Sequence, residues 1–219
     1  MKVLNAGHVI LQEVMGTDRT IDQCARVSFG FEEKERTDEQ IARLVNYLWR
    51  NKHTSPFEMV ETRWLVKAPI FVARQWMRHR TASINEMSGR YVKLYDEFYE
   101  PTEWRLKPTD GAKQGSSSDS LAWDDHIIAV HIMDQAIRAV REAHQQLDAL
   151  GVANELSRMI MPVSQYTEWV WKIDLHNLLH FLTLRLDDHA QKEIRDYAEA
   201  MVAQLVDVLP MTMKVWVDD

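Results

Sequence analysis

Residues 78–91 concentrate hydrogen-bonding side chains in one short stretch of the chain. They read Arg-His-Arg-Thr-Ala-Ser-Ile-Asn-Glu-Met-Ser-Gly-Arg-Tyr and include three arginines. A guanidinium group stays charged and offers fork-shaped donors that match phosphate, so clustered arginines suit an anionic ligand. Gly89 has no side chain, which lets the backbone come close to a bound molecule. The stretch therefore predicts a binding site for a small anion.

The basic residues around this stretch contrast with the acidity of the whole chain, which has a net charge of −7. Arg63, Lys67 and Arg74 precede the stretch, and Arg158 and Arg185 are further candidate partners for phosphate or carbonyl groups. Basic residues crowded into one region of an acidic chain favour a local pocket over an extended groove for a polyanion. We therefore expect small-molecule ligands and no nucleic-acid partner.

Two motifs carry a resemblance to a known family. The spacing Arg-His-Arg-x-x-Ser-x-Asn-Glu-x-Ser-x-Arg-Tyr resembles the signature of the flavin-dependent thymidylate synthases, and Leu-Arg-Leu-Asp-Asp-His-Ala-Gln at 184–191 resembles their second motif. The resemblance implies methylation of dUMP to dTMP, with methylenetetrahydrofolate as carbon donor and a hydride carried by FAD. A nicotinamide reductant, NADPH, supplies that hydride in the implied reaction.

The resemblance also implies which residues bind the nucleotide. Arg185 matches the arginine that binds and polarises the pyrimidine, and Ser88 positions the substrate. Together with His53, these are the residues expected to act in the reaction. The full set of positions that match the dUMP site is Gln75, Arg78, Glu86, Ser88, Gly89, Arg90, Arg158 and Arg185.

The flavin contacts implied by the resemblance combine arginines, which suit a pyrophosphate, with a histidine, which suits the isoalloxazine ring. Many family members carry Asn, Arg and Asn where this chain has Asp174, His176 and His180. Histidine can donate, accept and stack, so we expect altered contacts there rather than lost FAD binding. The implied FAD residues are Ser55, Glu58, Arg78, His79, Arg80, Thr81, Asp174, His176 and His180.

The nucleophiles of other enzyme classes are not supported by the sequence. Cys24 is the only cysteine, which excludes an intrachain disulfide and favours a reducing, cytoplasmic compartment. Its apolar neighbours Ile21, Ala25 and Val27 predict a buried residue rather than a nucleophile. No Ser-His-Asp order supports Ser88 as an activated alkoxide, so we expect it to position substrate.

Three alternatives compete with this interpretation. His176 and His180 have metal-ligand spacing near Asp174, but a third ligand is not obvious, so we expect no metal. A catalytically inactive nucleotide- or flavin-binding regulatory protein would retain the phosphate site, although the presence of His53, Glu58 and Arg185 argues against it. An RNA- or DNA-binding protein conflicts with the acidity and with the lack of interleaved aromatic residues near the arginines.

The elements that position these residues follow from hydrophobic periodicity. Thr37 and Gln40 predict a capping box that opens a helix over 37–52, and residues 53–58 are expected to break it, because Pro56 disfavours a helical conformation at Ser55. The sequence has no run of eighteen consecutive apolar residues, so no membrane span is predicted. We predict one α+β domain over 1–219, with a small, largely antiparallel sheet and long flanking helices. The further predictions are strands at 59–67 and 163–173, an extended segment at 91–99, a loop at 101–120, and helices at 70–79, 120–150, 152–161, 175–186 and 190–208.

The last prediction concerns assembly. The resemblance implies a homotetramer whose active sites are shared between subunits. Arg78 and Arg90 flank an extended stretch and could scarcely reach one small ligand within a single chain, which sharing across a symmetric interface would solve. Eight tryptophans and eleven methionines would suit a large obligate interface.

Overall fold

One antiparallel sheet organises the fold. The computed structural model describes residues 1–30, 35–108 and 116–219. Its strands are β1 (Lys2–Val3), β2 (Gly7–Met15), β3 (Glu61–Pro69), β4 (Ser83–Glu86) and β5 (Tyr166–Asp174). They lie in the order β1-β2-β3-β5-β4, and each neighbouring pair is antiparallel. The short strand β4 is therefore an edge strand, and it lies inside the stretch predicted to bind the anion.

Helices flank this sheet, and two of them, which begin after Thr37 and Asp174, start at a side-chain cap. At the start of α2 the Thr37 hydroxyl accepts from the Gln40 backbone N–H, and the Gln40 side chain accepts from the Thr37 backbone N–H. This is the predicted capping box. The helices are α1 (Asp18–Arg26), α2 (Asp38–Arg50), α3 (Ser55–Glu58), α4 (Ile70–Trp76), α5 (Trp123–Ala149), α6 (Asn154–Ser157), α7 (Leu175–Leu186), α8 (Lys192–Leu205) and α9 (Pro210–Val217).

A cluster of aromatic side chains joins the sheet to α4 and α7. The Trp76 ring lies 5.4 Å from the Trp169 ring, 5.3 Å from the Trp171 ring and 4.7 Å from the Phe181 ring, measured between centroids. All four side chains are fully buried. Such rings remove much apolar surface from water and also interact through their edges and faces. The C-terminal end of α4 is therefore fixed to the core, directly before the arginine-rich stretch.

The predicted fold class is confirmed. Helix 175–186 has the predicted bounds in α7, and helices 37–52, 70–79, 120–150 and 190–208 are observed with shorter ends as α2, α4, α5 and α8. The strands at 59–67 and 163–173 are observed as β3 and β5. None of the helices within the described ranges is long and apolar enough to cross a membrane.

One predicted element differs at its start and another was wrong. The predicted extended segment 91–99 begins with a turn, because the backbone N–H groups of Tyr91 and Val92 both donate to the Ser88 carbonyl. Only Phe98 in this segment makes an isolated bridge to the main sheet region. Segment 152–161 is not one helix: a single turn of α6 passes into a 3-10 turn, Arg158–Ile160, before Pro162. Proline disfavours a helical conformation at the residue before it.

Other elements were not predicted, and one prediction lies partly outside the described residues. The strand β2 was not predicted because a bulge between Leu11 and Glu13 interrupts its alternation. Helices α1 and α9 were also missed. The predicted loop 101–120 includes residues 109–115, which lie outside the described ranges; its described ends meet in a bridge between Arg105 and Ser120.

Candidate active site

Helices α4 and α7 end side by side and bring two predicted site residues together. Val72 and Trp76 anchor α4 in the core, and the His79 backbone N–H donates to the Trp76 carbonyl at 3.0 Å, which turns the chain after the helix. Phe181 and Leu182 are buried on α7 and leave Arg185 in its last turn, facing the same place. The periodic apolar positions of both helices thus decide where the two polar side chains lie.

His79 and Arg185 are in direct contact. Arg185 Nε lies 3.1 Å and Arg185 Nη2 lies 2.8 Å from His79 Nε2. Guanidinium nitrogens only donate, so His79 Nε2 is the acceptor and the ring proton lies on Nδ1. The sequence assigned His79 to the flavin and Arg185 to the nucleotide, and the structure brings these two assignments to one point.

Both members of this pair have shifted pKa values. Burial lowers the pKa of His79 to about 4, and the neighbouring Arg185 and His180 act in the same direction. Burial also lowers the pKa of Arg185, although an arginine remains charged at neutral pH. The pair therefore consists of a neutral imidazole and a charged guanidinium. Shifted pKa values are frequent at functional sites, which makes this pair a candidate centre for the chemistry.

Side chains next to the pair include other predicted residues. The Gln75 side-chain amide donates to the Gln191 side chain, which belongs to the second motif. Arg78, Arg80 and Thr81 follow α4 and are exposed to solvent. The exposed guanidinium groups of Arg78 and Arg80 are accessible to an anion at the junction of α4 and α7.

His53, Ser55 and Glu58 lie at or just before α3, which packs against α7. His53 and Ser55 line a cavity of about 850 Å³ whose wall also includes Cys24 and Met59. This volume falls within the range of small-molecule sites. Glu58 is exposed and accepts a hydrogen bond from the Thr54 hydroxyl at 3.0 Å.

A second, smaller cavity shares His53 with the large one. His53, His176 and His180 line this cavity of about 150 Å³ between α2, α3 and α7. The His180 ring also lies 6.5 Å from the His79 ring between centroids, so His180 links the small cavity to the His79/Arg185 pair.

Asp174 has a structural role at the start of α7. Its carboxylate caps the helix: it accepts from the Asn177 backbone N–H at 2.9 Å and from the Asn177 side chain at 2.7 Å. An N-cap of this kind satisfies a backbone donor that the helix itself leaves free. Asp174 therefore fixes the first turn of the helix that carries His176 and His180.

Another group of predicted residues forms a loop at the opposite end of β4, which we call the 88–90 loop. The Arg90 backbone N–H donates to the Ser88 hydroxyl at 3.3 Å. Gly89 is buried, and a Cβ atom there would lie 3.1 Å from Leu94 Cγ and 3.3 Å from Arg158 Cδ. A side chain at position 89 would therefore crowd Leu94 and Arg158.

Charged and polar neighbours hold this loop and the adjoining strand. Arg90 Nε lies 3.7 Å from a carboxylate oxygen of Glu155, and the Thr167 hydroxyl donates to Glu86 at 2.6 Å. Gly89 and Arg158 also line a polar cavity of about 180 Å³ against α5. Arg158 packs against Gly89, and the side chains of Arg90 and Arg158 are both exposed, so their guanidinium groups are suited to an anion at this loop.

The structure therefore separates the predicted site into two groups within one chain. The four-residue strand β4 lies between them and covers about 10 Å at the usual rise of a strand. His79 and Arg185 lie before it, and the 88–90 loop lies after it. The sequence did not predict three residues that contact predicted site residues: Gln191 bonds to Gln75, Thr167 to Glu86, and Glu155 pairs with Arg90. Of these three, only Gln191 belongs to a recognisable motif.

Two further expectations concern residues outside these groups. Cys24 is half-buried rather than buried, because its face of α1 lines the large cavity instead of the core. Within the described ranges, no group of three His, Cys, Asp or Glu side chains could hold a metal ion.

Comparison with known proteins gives a consistent result. The sequence pattern of the family described as thymidylate synthase complementing protein, Thy1, matches residues 10–211. The flavin-dependent thymidylate synthase of Treponema denticola is 48% identical over 212 residues, which cover 96% of this chain and 79% of the relative. That of Thermus thermophilus is 49% identical over 209 residues, which cover 95% of this chain and 75% of the relative.

A solved structure extends the likeness to three dimensions. The UMP/dUMP methylase PolB from Streptomyces cacaoi, bound with 5-Br dUMP, superposes with a TM-score of 0.89 and 31% sequence identity, over 100% of this chain and 97% of that chain. The pattern match and the identities agree with the two motifs and with the observed fold. This chain belongs to the flavin-dependent thymidylate synthase family.

Proposed function

We propose that this protein methylates dUMP to dTMP, with methylenetetrahydrofolate as carbon donor and with FAD and NADPH providing the reduction. The contact between His79 and Arg185 carries this proposal. It joins a residue of the first motif to a residue of the second at an open, cationic end of two core helices. Relatives at 48% and 49% identity are named for this activity, which supports the same conclusion.

In the proposed reaction, charged side chains hold the nucleotide. Arg185 binds the pyrimidine and withdraws electron density through charge-assisted hydrogen bonds. Arg78 and Gln75 contact the nucleotide from the same side, and the 88–90 loop with Arg158 binds its phosphate. Glu86 completes this set. Preorganised donors of this kind stabilise charge that develops on a substrate.

The two cavities that share His53, together with the arginines after α4, fit the needs of a flavin. FAD needs a flat, partly apolar space for its rings and cationic groups for its pyrophosphate. The cavity of about 850 Å³ is a candidate for the first, and the exposed side chains of Arg78 and Arg80 are candidates for the second. When bound, FAD supplies the hydride for the pyrimidine. The residues that would hold it are those at 78–81 together with Ser55, Glu58, Asp174, His176 and His180.

Neither a thiol nor an alkoxide is needed for this route. Ser88 Oγ accepts a hydrogen bond from the Arg90 backbone N–H, which suits a residue that shapes the phosphate loop. Cys24 lies on the wall of the large cavity, away from both arginine groups in sequence. His53 lies between the two cavities and would orient ligands there. The alternative of an inactive regulatory protein is not favoured, since both halves of the site retain their charged residues.

We also propose a homotetramer with shared active sites. The two groups of site residues lie at opposite ends of β4, so a second copy is needed to bring an 88–90 loop to a His79/Arg185 pair. Apolar residues on α5 provide a surface for this: Trp123, Ile128 and Ile132 are 73%, 55% and 60% exposed. Exposed apolar surface of this kind marks interfaces. The single cysteine supports a cytoplasmic location.

The activity is tested with purified protein and each substrate in turn. We expect yellow protein whose dTMP production requires FAD, methylenetetrahydrofolate and NADPH together. UMP is assayed beside dUMP, because PolB is described as a methylase of both. Full-rate dTMP formation by protein stripped of flavin would contradict the proposal, and so would colourless protein that cannot be loaded with FAD.

Shared sites are tested by subunit exchange. Arg78→Ala protein is mixed with Ser88→Ala protein under conditions that let subunits exchange. We expect hybrids to regain part of the activity, because some sites then draw both intact residues from different chains. Each variant exchanged with itself is the control and should stay inactive. A fully active monomer at working concentration, measured by light scattering, would refute the assembly.

A further inference from the structure

His79 gives Arg185 a fixed acceptor at a single atom. The guanidinium directs both Nε and Nη2 at His79 Nε2, at 3.1 Å and 2.8 Å. Two donors that meet one acceptor define the direction of the side chain as well as the plane of its head group. The remaining donors of Arg185 are left for a ligand, since a guanidinium has five.

The imidazole itself is held from the core side. Phe181, which is fully buried, meets the His79 ring edge-on at 4.8 Å between centroids and an interplanar angle of 78°. The His79 backbone N–H is bonded to the Trp76 carbonyl. Both contacts come from the aromatic cluster, so packing of the buried core fixes the position of the His79 imidazole.

The electrostatic surroundings keep this acceptor available. Burial lowers the pKa of His79 to about 4, and the facing groups Arg185 and His180, both on α7, act in the same direction. The ring is therefore neutral at physiological pH and keeps a lone pair on Nε2. A protonated imidazole would have no acceptor and would repel the guanidinium.

We propose that His79 is a positioning residue whose imidazole holds the Arg185 guanidinium ready for the pyrimidine of the nucleotide. This inference rests on the proposed function, in which Arg185 binds dUMP. It adds a second role to His79 beside its implied flavin contact. A free arginine side chain samples many rotamers, and fixing it before the ligand arrives removes part of the entropy that binding would otherwise lose.

The first test measures dUMP affinity in variants of His79. His79→Phe keeps a ring against Phe181 but offers no acceptor, whereas His79→Gln offers an amide oxygen to Arg185. We expect the dissociation constant for dUMP, measured by equilibrium dialysis on flavin-loaded protein, to rise about tenfold in His79→Phe. His79→Gln should recover at least part of this loss, since its oxygen restores one acceptor.

A double-mutant cycle separates positioning of Arg185 from contact with the flavin. If His79 acts through Arg185, then His79→Phe in an Arg185→Ala background should change the dUMP dissociation constant by less than about twofold. The four proteins are also compared without flavin, so that lost flavin in one variant does not hide the result. His189→Phe is the matched control, because the His189 side chain is 83% exposed and bonds to Asp187 rather than to an arginine.

Two results would overturn the inference. Either His79→Phe binds dUMP as tightly as the unaltered protein, or it weakens dUMP equally in the presence and absence of Arg185. Failure of the proposed function looks different: the unaltered protein would then bind neither dUMP nor FAD. The variants are compared by circular dichroism, and if His79→Phe does not fold, the cycle is run with His79→Leu, which also offers no acceptor.

Discussion

The two halves of the candidate site differ in what holds them. The His79/Arg185 pair is held by buried aromatic rings. Trp76 lies directly before the turn that carries His79, and Phe181 lies one turn before Arg185 on α7. The 88–90 loop lies at a sheet edge, where its contacts are mostly polar and exposed, such as the 3.7 Å ion pair of Arg90 and Glu155. Core packing preorganises the first half, and a glycine and a turn shape the second.

This difference indicates where a second copy of the chain would matter in the proposed tetramer. Exposed ion pairs contribute little by themselves, so the 88–90 loop would gain most from being covered by a partner and a ligand. The His79/Arg185 pair is already partly buried and fixed in one chain. We therefore expect substitutions in the pair to act on chemistry and ligand binding directly, and substitutions in the loop to act through local shape and assembly.

The largest effect is expected at the core-anchored half. Arg185→Ala should retain FAD but lose about 1.5–3 kcal/mol of dUMP binding, roughly a ten- to hundredfold weaker affinity, because a charged hydrogen bond is removed. Arg185→Lys should also be poor, since one ammonium cannot replace two fork-shaped donors. Steady-state kinetics and flavin absorbance measure this. Unchanged kinetics in Arg185→Lys would mean that the residue is only a surface charge.

A smaller effect is expected in the loop. Gly89→Ala places a Cβ atom 3.1 Å from Leu94 Cγ and 3.3 Å from Arg158 Cδ. Overpacking of this kind costs about 1–3 kcal/mol, and displacement of Arg158 should raise the KM for dUMP more than it lowers kcat. Gly151→Asn is the control for loss of a glycine without crowding: its φ of 74° strains any side chain, although asparagine adopts it more readily than most, and the space around it is open. A Gly89→Ala protein with normal KM and thermal midpoint would contradict the close packing of the loop.

The pH dependence of stability tests burial at the His79/Arg185 pair. The folded state holds the pKa of His79 at about 4, below its ordinary value of 6.5, so the unfolded chain binds the proton first. The contribution of the neutral His79 ring to the free energy of unfolding is fully present above pH 6.5 and is lost as the pH falls towards 4. After allowance for solvent screening at this half-buried ring, about 1–2 kcal/mol is expected.

The measurement compares unfolding of the unaltered protein and His79→Gln at about pH 7.5 and about pH 5, on either side of the ordinary histidine pKa. The unaltered protein should lose more stability between these values, because glutamine does not titrate. Equal losses in both proteins would show that His79 is not the group responsible. The same comparison with Ser88→Ala should leave the loss unchanged, since the 88–90 loop lies beyond β4.

The smallest effect is expected at a residue that belongs to neither half. Cys24→Ala should keep dTMP formation and flavin loading within about twofold, because the proposed hydride route needs no thiol nucleophile. Cys24 is half-buried on the wall of the large cavity, so the change removes only a small apolar group. Lost turnover in a folded, flavin-loaded Cys24→Ala protein would revive a covalent-cysteine mechanism.

Local signals made much of the fold predictable. The capping pair of Thr37 and Gln40 and the apolar spacing of 175–186 depend on neighbours in sequence, and both helices are observed. Strand β2 was missed because its bulge and polar residues disturb the alternation, and its place is set by pairing with β3, a distant segment of the chain. Long-range pairing of this kind leaves a weak local signal.

The site shows the same division. Sequence by itself determined the residue types: three arginines, two serines and a glycine within fourteen residues predict an anion site before any fold is known. It also identified the family, since motif spacing reports on chemistry. The spacing assigned His79 and Arg185 to different ligands, however, and gave no reason to pair them.

Only the tertiary structure decided that pairing. His79 and Arg185 are 106 residues apart, and they meet because Trp76 and Phe181 are buried in one aromatic cluster that aligns the ends of α4 and α7. The same packing directs β4 away from the pair, so that the 88–90 loop lies at the far end of the strand. Contacts between distant residues depend on how whole elements pack, and no local pattern of amino acids contains that information.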